Sequence, residues 1–487
     1  MLALLAVSGS ACGAVGTRHA AVSASAARAP GSFVTRVGTR LLLGGRPFRF
    51  GGANVEWLGL VGYGPADLQG PRYPSHFEVD DALATAHEMG ALVVRAQTLG
   101  DSVGCDACLE PSLGAFNDSA FEHADYAIAS ARRHGLKIIG TIIGDDARGG
   151  GGGCVYLGWR GLDTQGCSLS YMPEFWTNAD VRRDVEKHIA TLLNHRNAYT
   201  HVAYKDDPTI LGWDLVNGGA SPPAWTRAIA RFVRRIDRRH LVLSGADNAS
   251  VPGVDACVAF IYPHWALPLA KARAGIARCA GAGKPFIAYE YGWDRTNYPT
   301  PGDLERFLTT LRGMREVVGD AFWALQAHAD GHGWMPIPAD SSDPATAING
   351  ESGEWWALYY TGIPTLVSSA ADMAARAQII RRHDYARRVL VPPAHAIPPA
   401  PLLTSVAQTP GGLRLYWRGA AGAADYSVER RAAGSAEWLV VCRRCATDSG
   451  DGYLDTQPAA SGAVYRVVPY NLDGKRGPAS KPMQASP

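Results

Sequence analysis

Between residues 48 and 325, short apolar runs bounded by turn residues alternate with longer stretches in which apolar residues recur every three or four positions. The short runs read as strands buried on both faces and the longer ones as amphipathic helices, the alternation of a parallel α/β fold. Eight runs are predicted as strands: Phe48–Ala53, Leu92–Ala96, Lys137–Ile143, Ile210–Val216, Leu241–Gly245, Val258–Tyr262, Phe286–Glu290 and Ala321–Leu325. Helical spacing marks Glu78–Met89, Phe121–His134, Asp180–Leu193, Trp225–Arg238, Pro268–Cys279, Leu304–Val318 and Ala370–His383 between and after them. Eight parallel strands are the number that closes a (β/α)8 TIM barrel, assigned here to residues 31–391.

After Val391-Pro-Pro and Ile397-Pro-Pro-Ala-Pro the texture changes to short alternating strands, among them Leu413–Trp417, Tyr426–Arg430, Trp438–Val441 and Val464–Tyr470. About 90 residues with this pattern predict a small all-β, immunoglobulin-like sandwich over residues 401–487. The strand Trp417 and the run Tyr465-x-Val-x-Pro-Tyr470 followed by Asn471 resemble a fibronectin type III domain. The Pro-rich segment 392–400 is expected to act as a stiff spacer.

Composition narrows the function. A formal charge of +2 with both signs mixed, and no basic tract, argues against a nucleic-acid partner. The run Gly149–Gly153 lacks the Lys-Ser/Thr that a phosphate-cradling loop needs, so it reads as a flexible loop. No zinc-ligand spacing occurs, and neither a metal nor a cofactor is expected. Residues 1–30 are rich in Ala, Ser and Gly after an apolar start, Leu2–Val7, and resemble an export leader that lacks its basic segment. Cys12 after Ser10-Ala11 resembles a lipoprotein cleavage site, although Gly9 stands where Leu is expected; a lipid anchor at Cys12 is one alternative. The other eight cysteines fall into local pairs, Cys105/Cys108, Cys154/Cys167, Cys257/Cys279 and Cys442/Cys445, which in an exported chain read as disulfides. A secreted or cell-surface monomer is expected.

The stretch Tyr204-Lys-Asp-Asp-Pro-Thr-Ile-Leu-Gly-Trp213-Asp214-Leu-Val-Asn217-Gly218-Gly219 ends the fourth predicted strand. It resembles the mannanase-like members of glycoside hydrolase family 5, whose motif is roughly Tyr-Lys-x-Asp-Pro-x-Ile-x-x-Trp-Glu-Leu-x-Asn-Glu-Pro. Reacting groups of barrel enzymes sit at the C-terminal ends of strands. At those positions Arg95, Asn217, Tyr262, Glu290 and Trp323 match the family pattern. The resemblance implies that Glu290 is the nucleophile, that Arg95 and Tyr262 hydrogen-bond it, that Asn217 binds the 2-hydroxyl, and that Trp323 stacks the sugar. Trp57, Trp265 and Trp293, which follow strands, are expected to line the same cleft.

Two positions depart from the family. Its acid/base glutamate is replaced by Gly218, and its His-x-Tyr on the sixth strand is Phe260-Ile261-Tyr262. A retaining glycosidase needs two carboxyl groups roughly 5–5.5 Å apart, and glycine supplies none. Asp145, Asp146 and His264 stand at heights where a substitute acid could sit, whereas Asp214 should lie about 13 Å deeper in the barrel. Three readings stay open: a hydrolase acting on β-1,4-mannan or a related β-glycan with an absent or displaced acid, a carbohydrate-binding protein on a degenerate barrel, and a transglycosylase or an enzyme whose substrate brings its own proton donor. All three predict a polysaccharide or oligosaccharide partner, with cell-wall or membrane-surface attachment as a further expectation. A glutamate restored at position 218 is expected to raise hydrolysis of unactivated glycan if the rest of the site is in place, or together with Phe260→His if Phe260 also blocks it.

Overall fold

The computed structural model describes residues 32–61, 71–144, 152–162, 164, 172–263, 267–335, 357–365, 367–458 and 462–485. The described residues open with an antiparallel sheet absent from the sequence-based prediction: β1 (Val34–Val37), β2 (Arg40–Leu43) and β3 (Arg46–Pro47). Its Val34, Leu41 and Leu43 pack with Phe48 against barrel-strand residues such as Phe50, Leu211 and Ile287.

The barrel strands are β4 (Phe50–Asn54), β5 (Val93–Ala96), β6 (Lys137–Thr141), β7 (Ile210–Asp214), β8 (Leu241–Gly245), β9 (Ala256–Ile261), β10 (Phe286–Tyr291) and β11 (Val317–Phe322). Each pairs in parallel with its neighbours, and β11 closes on β4, giving a (β/α)8 TIM barrel. The last strand begins four residues earlier than the predicted Ala321. Gly319-Asp320 interrupts its apolar run, yet Asp320 is fully buried against His383 and Arg387 of the last barrel helix. This shift leaves Trp323 just beyond the strand end.

The helices are α1 (His76–Glu88), α2 (Asp118–Arg133), α3 (Gly153–Trp159), α4 (Pro173–Thr177), α5 (Ala179–Asn194), α6 (Pro223–Ile236), α7 (Leu269–Gly281), α8 (Pro301–Gly313) and α9 (Ala370–Arg387). Their starts follow from local chemistry. Ser75 and Glu78 form a reciprocal capping box at α1, Thr300 and Asp303 another at α8, and Asn117, Asn178 and Ser369 cap α2, α5 and α9. Among the described residues, no helix is long and apolar enough to cross a membrane.

Among the described residues beyond the barrel, seven strands form two antiparallel sheets: β12 (Leu402–Thr409), β13 (Gly412–Arg418) and β16 (Tyr453–Asp455) in one, and β14 (Asp425–Arg431), β15 (Leu439–Ala446), β17 (Val464–Tyr470) and β18 (Met483–Gln484) in the other. Trp417, Tyr426, Val428, Tyr465 and Val467 lie in the core they share. The segment before β12 does not hold the two domains apart. Arg381 of α9 donates to the Pro393 carbonyl (2.9 Å), His395 bonds Glu88 of α1 (3.0 Å), and Asn471 donates to the carbonyls of His395 and Ala396. The expected spacer is instead a strap pinned to both domains, because the carbonyls of Pro393, His395 and Ala396 accept side-chain donors and the His395 ring reaches a carboxylate.

Disulfides join Cys105 to Cys108, Cys257 to Cys279 and Cys442 to Cys445. Cys12 and Cys167 lie outside the described residues, and with them the leader and the expected Cys154–Cys167 pair.

Candidate active site at the barrel mouth

The polar groups converge on Arg95. The side chain leaves β5 near its C-terminal end and is fully buried. Its Nη1 donates to Glu290 Oε2 at 3.1 Å and to Asn54 Oδ1 at 3.0 Å. Its Nη2 donates to Asn217 Oδ1 and lies 3.6 Å from Asp214 Oδ2. The guanidinium also stands 4.2 Å from the centre of the Tyr289 ring. Burial by itself would lower the Arg95 pKa, but the acidic groups around it, Tyr289, Glu290, Asp214 and Asp101, raise it above the ordinary arginine value. A permanent cation therefore faces one carboxylate on β7 and another at the barrel mouth.

Glu290 is held from both sides. Tyr262, the residue after β9, donates its hydroxyl to Glu290 Oε1 at 2.9 Å, while Arg95 binds the other oxygen. Two donors on a carboxylate with little solvent exposure fix its plane. Strand alternation alone would not place it there. Ile287 and Tyr289 belong to one core cluster while Ala288 and Tyr291 belong to another, so the in–out rhythm breaks at Glu290. Register shifts against β9 and β11 occur between Ile287 and Tyr291, an irregularity that re-aims one side chain.

Trp323 packs with Tyr262 and Ala324 in a small separate cluster against Phe260. Phe260 itself stacks on Tyr289 (5.4 Å between ring centres) and sits 5.6 Å from the Arg95 guanidinium. An apolar ring thus stands where the resemblance places a histidine.

At the end of β7 the backbone differs from what a missing side chain alone would leave. Asn217–Gly219 forms a tight turn in which Gly218 takes φ 76°, ψ −13°, the left-handed region. Gly219 follows at φ 73°, and a Cβ there would lie 2.9 Å from backbone atoms of Gly245 at the end of β8. Gly245 is equally constrained, its own Cβ position falling 2.3 Å from the Gly219 carbonyl oxygen. The turn after β7 and the end of β8 are therefore pressed backbone to backbone, which only glycine permits. A glutamate at 218 would carry the strain of a left-handed non-glycine residue.

Of the residues selected from the sequence, the fold brings Arg95, Asn217, Tyr262 and Glu290 into one hydrogen-bonded group, with Trp323 against Tyr262. Trp57 and Trp293, expected to line the cleft, instead lie in the main hydrophobic core with helix residues such as Leu83 and Leu308. Their rings fill core volume, since a position just past a strand can turn outward as readily as toward the mouth. Asp145, Asp146, His264 and Trp265 lie outside the described residues. Strand-end reading missed Asn54, which ends β4 one residue beyond the predicted strand. Its amide donates to the carbonyls of Tyr289 (3.0 Å) and Phe322 (3.1 Å) while its oxygen accepts from Arg95. Asp214, too deep in the barrel for a substitute acid, contacts Arg95 from β7. Tyr289 was also missed; burial, then Asp214, hold its hydroxyl protonated far above the usual range.

Away from the mouth, Asp320, His383 and Asp384 bring potential metal-ligand atoms within 4.8 Å of one another. The Arg387 guanidinium already pairs with Asp320, and burial followed by Asp320 pushes the Asp384 carboxyl well above the usual carboxylate range. The group is neutralised from within, which suits a structural cluster better than a divalent cation.

The sequence of the barrel half is similar to plant mannanases. Mannan endo-1,4-beta-mannosidase 1 of Oryza sativa subsp. japonica is 33% identical over 259 residues, 51% of this chain and 57% of that protein. Mannan endo-1,4-beta-mannosidase 7 of Arabidopsis thaliana is 32% identical over 226 residues, 45% of this chain and 49% of that protein. The chain spans about half the length of the curated relatives it matches. The fold is shared with the crystal structure of an endo-1,4-beta-mannanase from Rhizomucor miehei, at a TM-score of 0.54 and 21% identity, covering 74% of this chain and all of that one. Residues 31–258 match the model described as GH family 5 beta-mannosidase-like, and it is to glycoside hydrolase family 5 mannosidases that this (β/α)8 barrel is similar.

Proposed function

We propose that this chain is an exported glycoside hydrolase-like protein directed at β-1,4-mannan or a related β-glycan, with Glu290 as the nucleophile of a retaining reaction. The observation that carries the reading is the Glu290 carboxylate gripped by Arg95 and Tyr262 at the ends of three barrel strands. In the first step a Glu290 oxygen forms a bond to the anomeric carbon as the glycosidic bond breaks, and the leaving oxygen departs with the bonding pair. Arg95, kept cationic by its acidic neighbours, orients the attacking carboxylate, and Trp323, packed on Tyr262, is read as the ring that meets the sugar.

Gly218 supplies no proton to the leaving oxygen and no base for the water that must release the sugar from Glu290. Positioned acid/base catalysis is worth roughly 10²–10⁴-fold, about 3–5 kcal/mol, so aryl glycosides should react while unactivated glycans react slowly or not at all. Mannan is favoured by the names of the relatives. Export is favoured by the disulfides, which persist in oxidising compartments. The two-sheet C-terminal domain is read as fibronectin type III-like, from its three-plus-four strand arrangement.

A second reading, a carbohydrate-binding protein on a degenerate barrel, is favoured by the left-handed backbone at Gly218, which resists a return of the missing carboxylate. Hydrolysis of an aryl β-mannoside with and without azide separates the two. Azide-accelerated turnover that disappears in Glu290→Ala supports the nucleophile; tight manno-oligosaccharide binding with no turnover in either protein leaves the binding reading alone.

A further inference from the structure

The chain that leaves Trp323 does not wander. Leu325 N donates to the Asn54 carbonyl at 2.9 Å, Gln326 N to the Leu358 carbonyl at 3.0 Å, and Met335 N to the Ala327 carbonyl at 2.9 Å. With Ala329 N on the Gly333 carbonyl (3.0 Å), residues 326–335 make a small hairpin that begins three residues after Trp323. At its centre His328 is buried between two carboxylates from different domains. Its Nδ1 and its backbone N–H both donate to Asp81 Oδ2 of α1, each at 2.9 Å, and its Nε2 donates to Asp448 Oδ2 at 2.8 Å. Asp448 belongs to the C-terminal domain, between β15 and β16, and collects the Trp334 indole N–H (3.1 Å) and the Tyr426 hydroxyl (2.9 Å) as well. The Trp334 ring stacks on His328 with 3.9 Å between centres.

The C-terminal domain closes around this hairpin at further points. Arg418 pairs with Asp330 at the hairpin tip and lies 3.9 Å from the Phe77 ring centre. Tyr416 approaches His332 at 4.7 Å between ring centres. Gly419 is small by necessity, since a Cβ there would fall 2.1 Å from His328 Cδ2.

We infer that the C-terminal domain is a positioning element of the substrate site: Asp448 holds His328, and His328 holds the hairpin that anchors Trp323 against Tyr262. The inference rests on the reading of the mouth as a sugar site. Both ring nitrogens meet carboxylates, so the imidazole is doubly protonated. Although burial would lower its pKa, Asp81 and Asp448 raise it from 6.5 to about 10. The Tyr426 hydroxyl is kept neutral by burial and by Asp448, and Asp330 with Arg418 completes the charges around the hairpin. Because the folded pKa is raised, the stabilisation is complete below about pH 6.5 and is lost as pH climbs through about 10. His328 and Asp448 touch no reacting atom; they act through Trp323.

The test uses the full chain carrying Asp448→Asn, with Asp451→Asn as a nearby exposed control. Hydrogen exchange in peptides covering 326–335 is expected to rise about tenfold or more in Asp448→Asn, with α5 unchanged and the control like wild type. Mannohexaose binding should weaken about three- to tenfold, while kcat for an aryl β-mannoside with azide changes less than about twofold. The melting-temperature gap between wild type and Asp448→Asn should narrow as pH approaches 10, a trend that generic packing damage would not produce. Should Asp448→Asn fail to fold, Trp334→Phe removes one donor to Asp448 and should give smaller changes in the same direction. Unchanged exchange in a folded Asp448→Asn overturns the inference, as does raised exchange with mannohexaose binding equal to wild type. If wild type binds no manno-oligosaccharide, the sugar-site reading falls, and the exchange measurement still decides whether Asp448 holds the hairpin.

Discussion

The two halves of the barrel mouth are built on opposite principles. Around β5, β9 and β10, order comes from side chains: a buried arginine held by Glu290 and by Asn54 of β4, and reaching across to Asp214 and Asn217 at β7, with a tyrosine on the far oxygen of Glu290. On the β7 and β8 side, order comes from backbone: Gly218 in the left-handed region, and Gly219 against Gly245 at a spacing that excludes a Cβ. The difference teaches that position 218 does not simply lack a side chain. The chain around it has adopted a path suited to glycine, while the Glu290 half keeps a full set of partners.

The largest expected effect tests whether the retained half is chemically alive. Glu290→Ala should reduce azide-assisted aryl β-mannoside turnover by on the order of 10⁴-fold or more, measured as kcat, because the covalent step itself is removed. A residual rate close to wild type would break the comparison at its stronger side. Next in size is Arg95→Met, which leaves Asp214 and Glu290 as buried carboxylates without their shared cation. A loss of about 3–5 kcal/mol in urea unfolding is expected, and a loss below about 1 kcal/mol would mean that the arginine is not what organises this half.

Smaller effects sharpen the other side. Gly218→Glu should cost about 1–3 kcal/mol through backbone strain and leave hydrolysis of unactivated mannan unrestored, in contrast to what the sequence motif alone suggests. Gly218→Ala serves as its control, with similar strain and no carboxylate; mannan hydrolysis gained by the glutamate and not by the alanine would show that the turn yields. The smallest change is Tyr262→Phe. It removes one hydrogen bond to Glu290 and should lower kcat for the aryl substrate about tenfold, or roughly 1.4 kcal/mol. An equal rise in KM with kcat unchanged would place Tyr262 in substrate binding instead.

Much of this mouth could be read from the chain because strand ends are local features. A short apolar run followed by a polar residue marks Arg95, Asn217 and Tyr262 without knowledge of their neighbours. Trp323 is legible although the predicted strand starts four residues late, since either boundary leaves it near the end. Asn54 escaped for the opposite reason: the strand was ended one residue short. Trp57 and Trp293 also follow strands and yet belong to the core, because proximity to a strand end does not decide which way a ring turns.

The sequence by itself determined the alternation of eight strands and their helices, the caps that start those helices, and the absence of a carboxylate at position 218. These depend on residues within a few positions of one another. Only the tertiary structure decided that Glu290 turns toward Arg95 through a register shift in β10, that Gly218 takes the left-handed region while Gly219 presses on Gly245 of β8, and that the C-terminal domain grips the hairpin after Trp323 instead of hanging from a spacer. Each of these depends on which distant backbone or charge stands opposite, and a one-dimensional pattern of polar and apolar positions does not encode that distance.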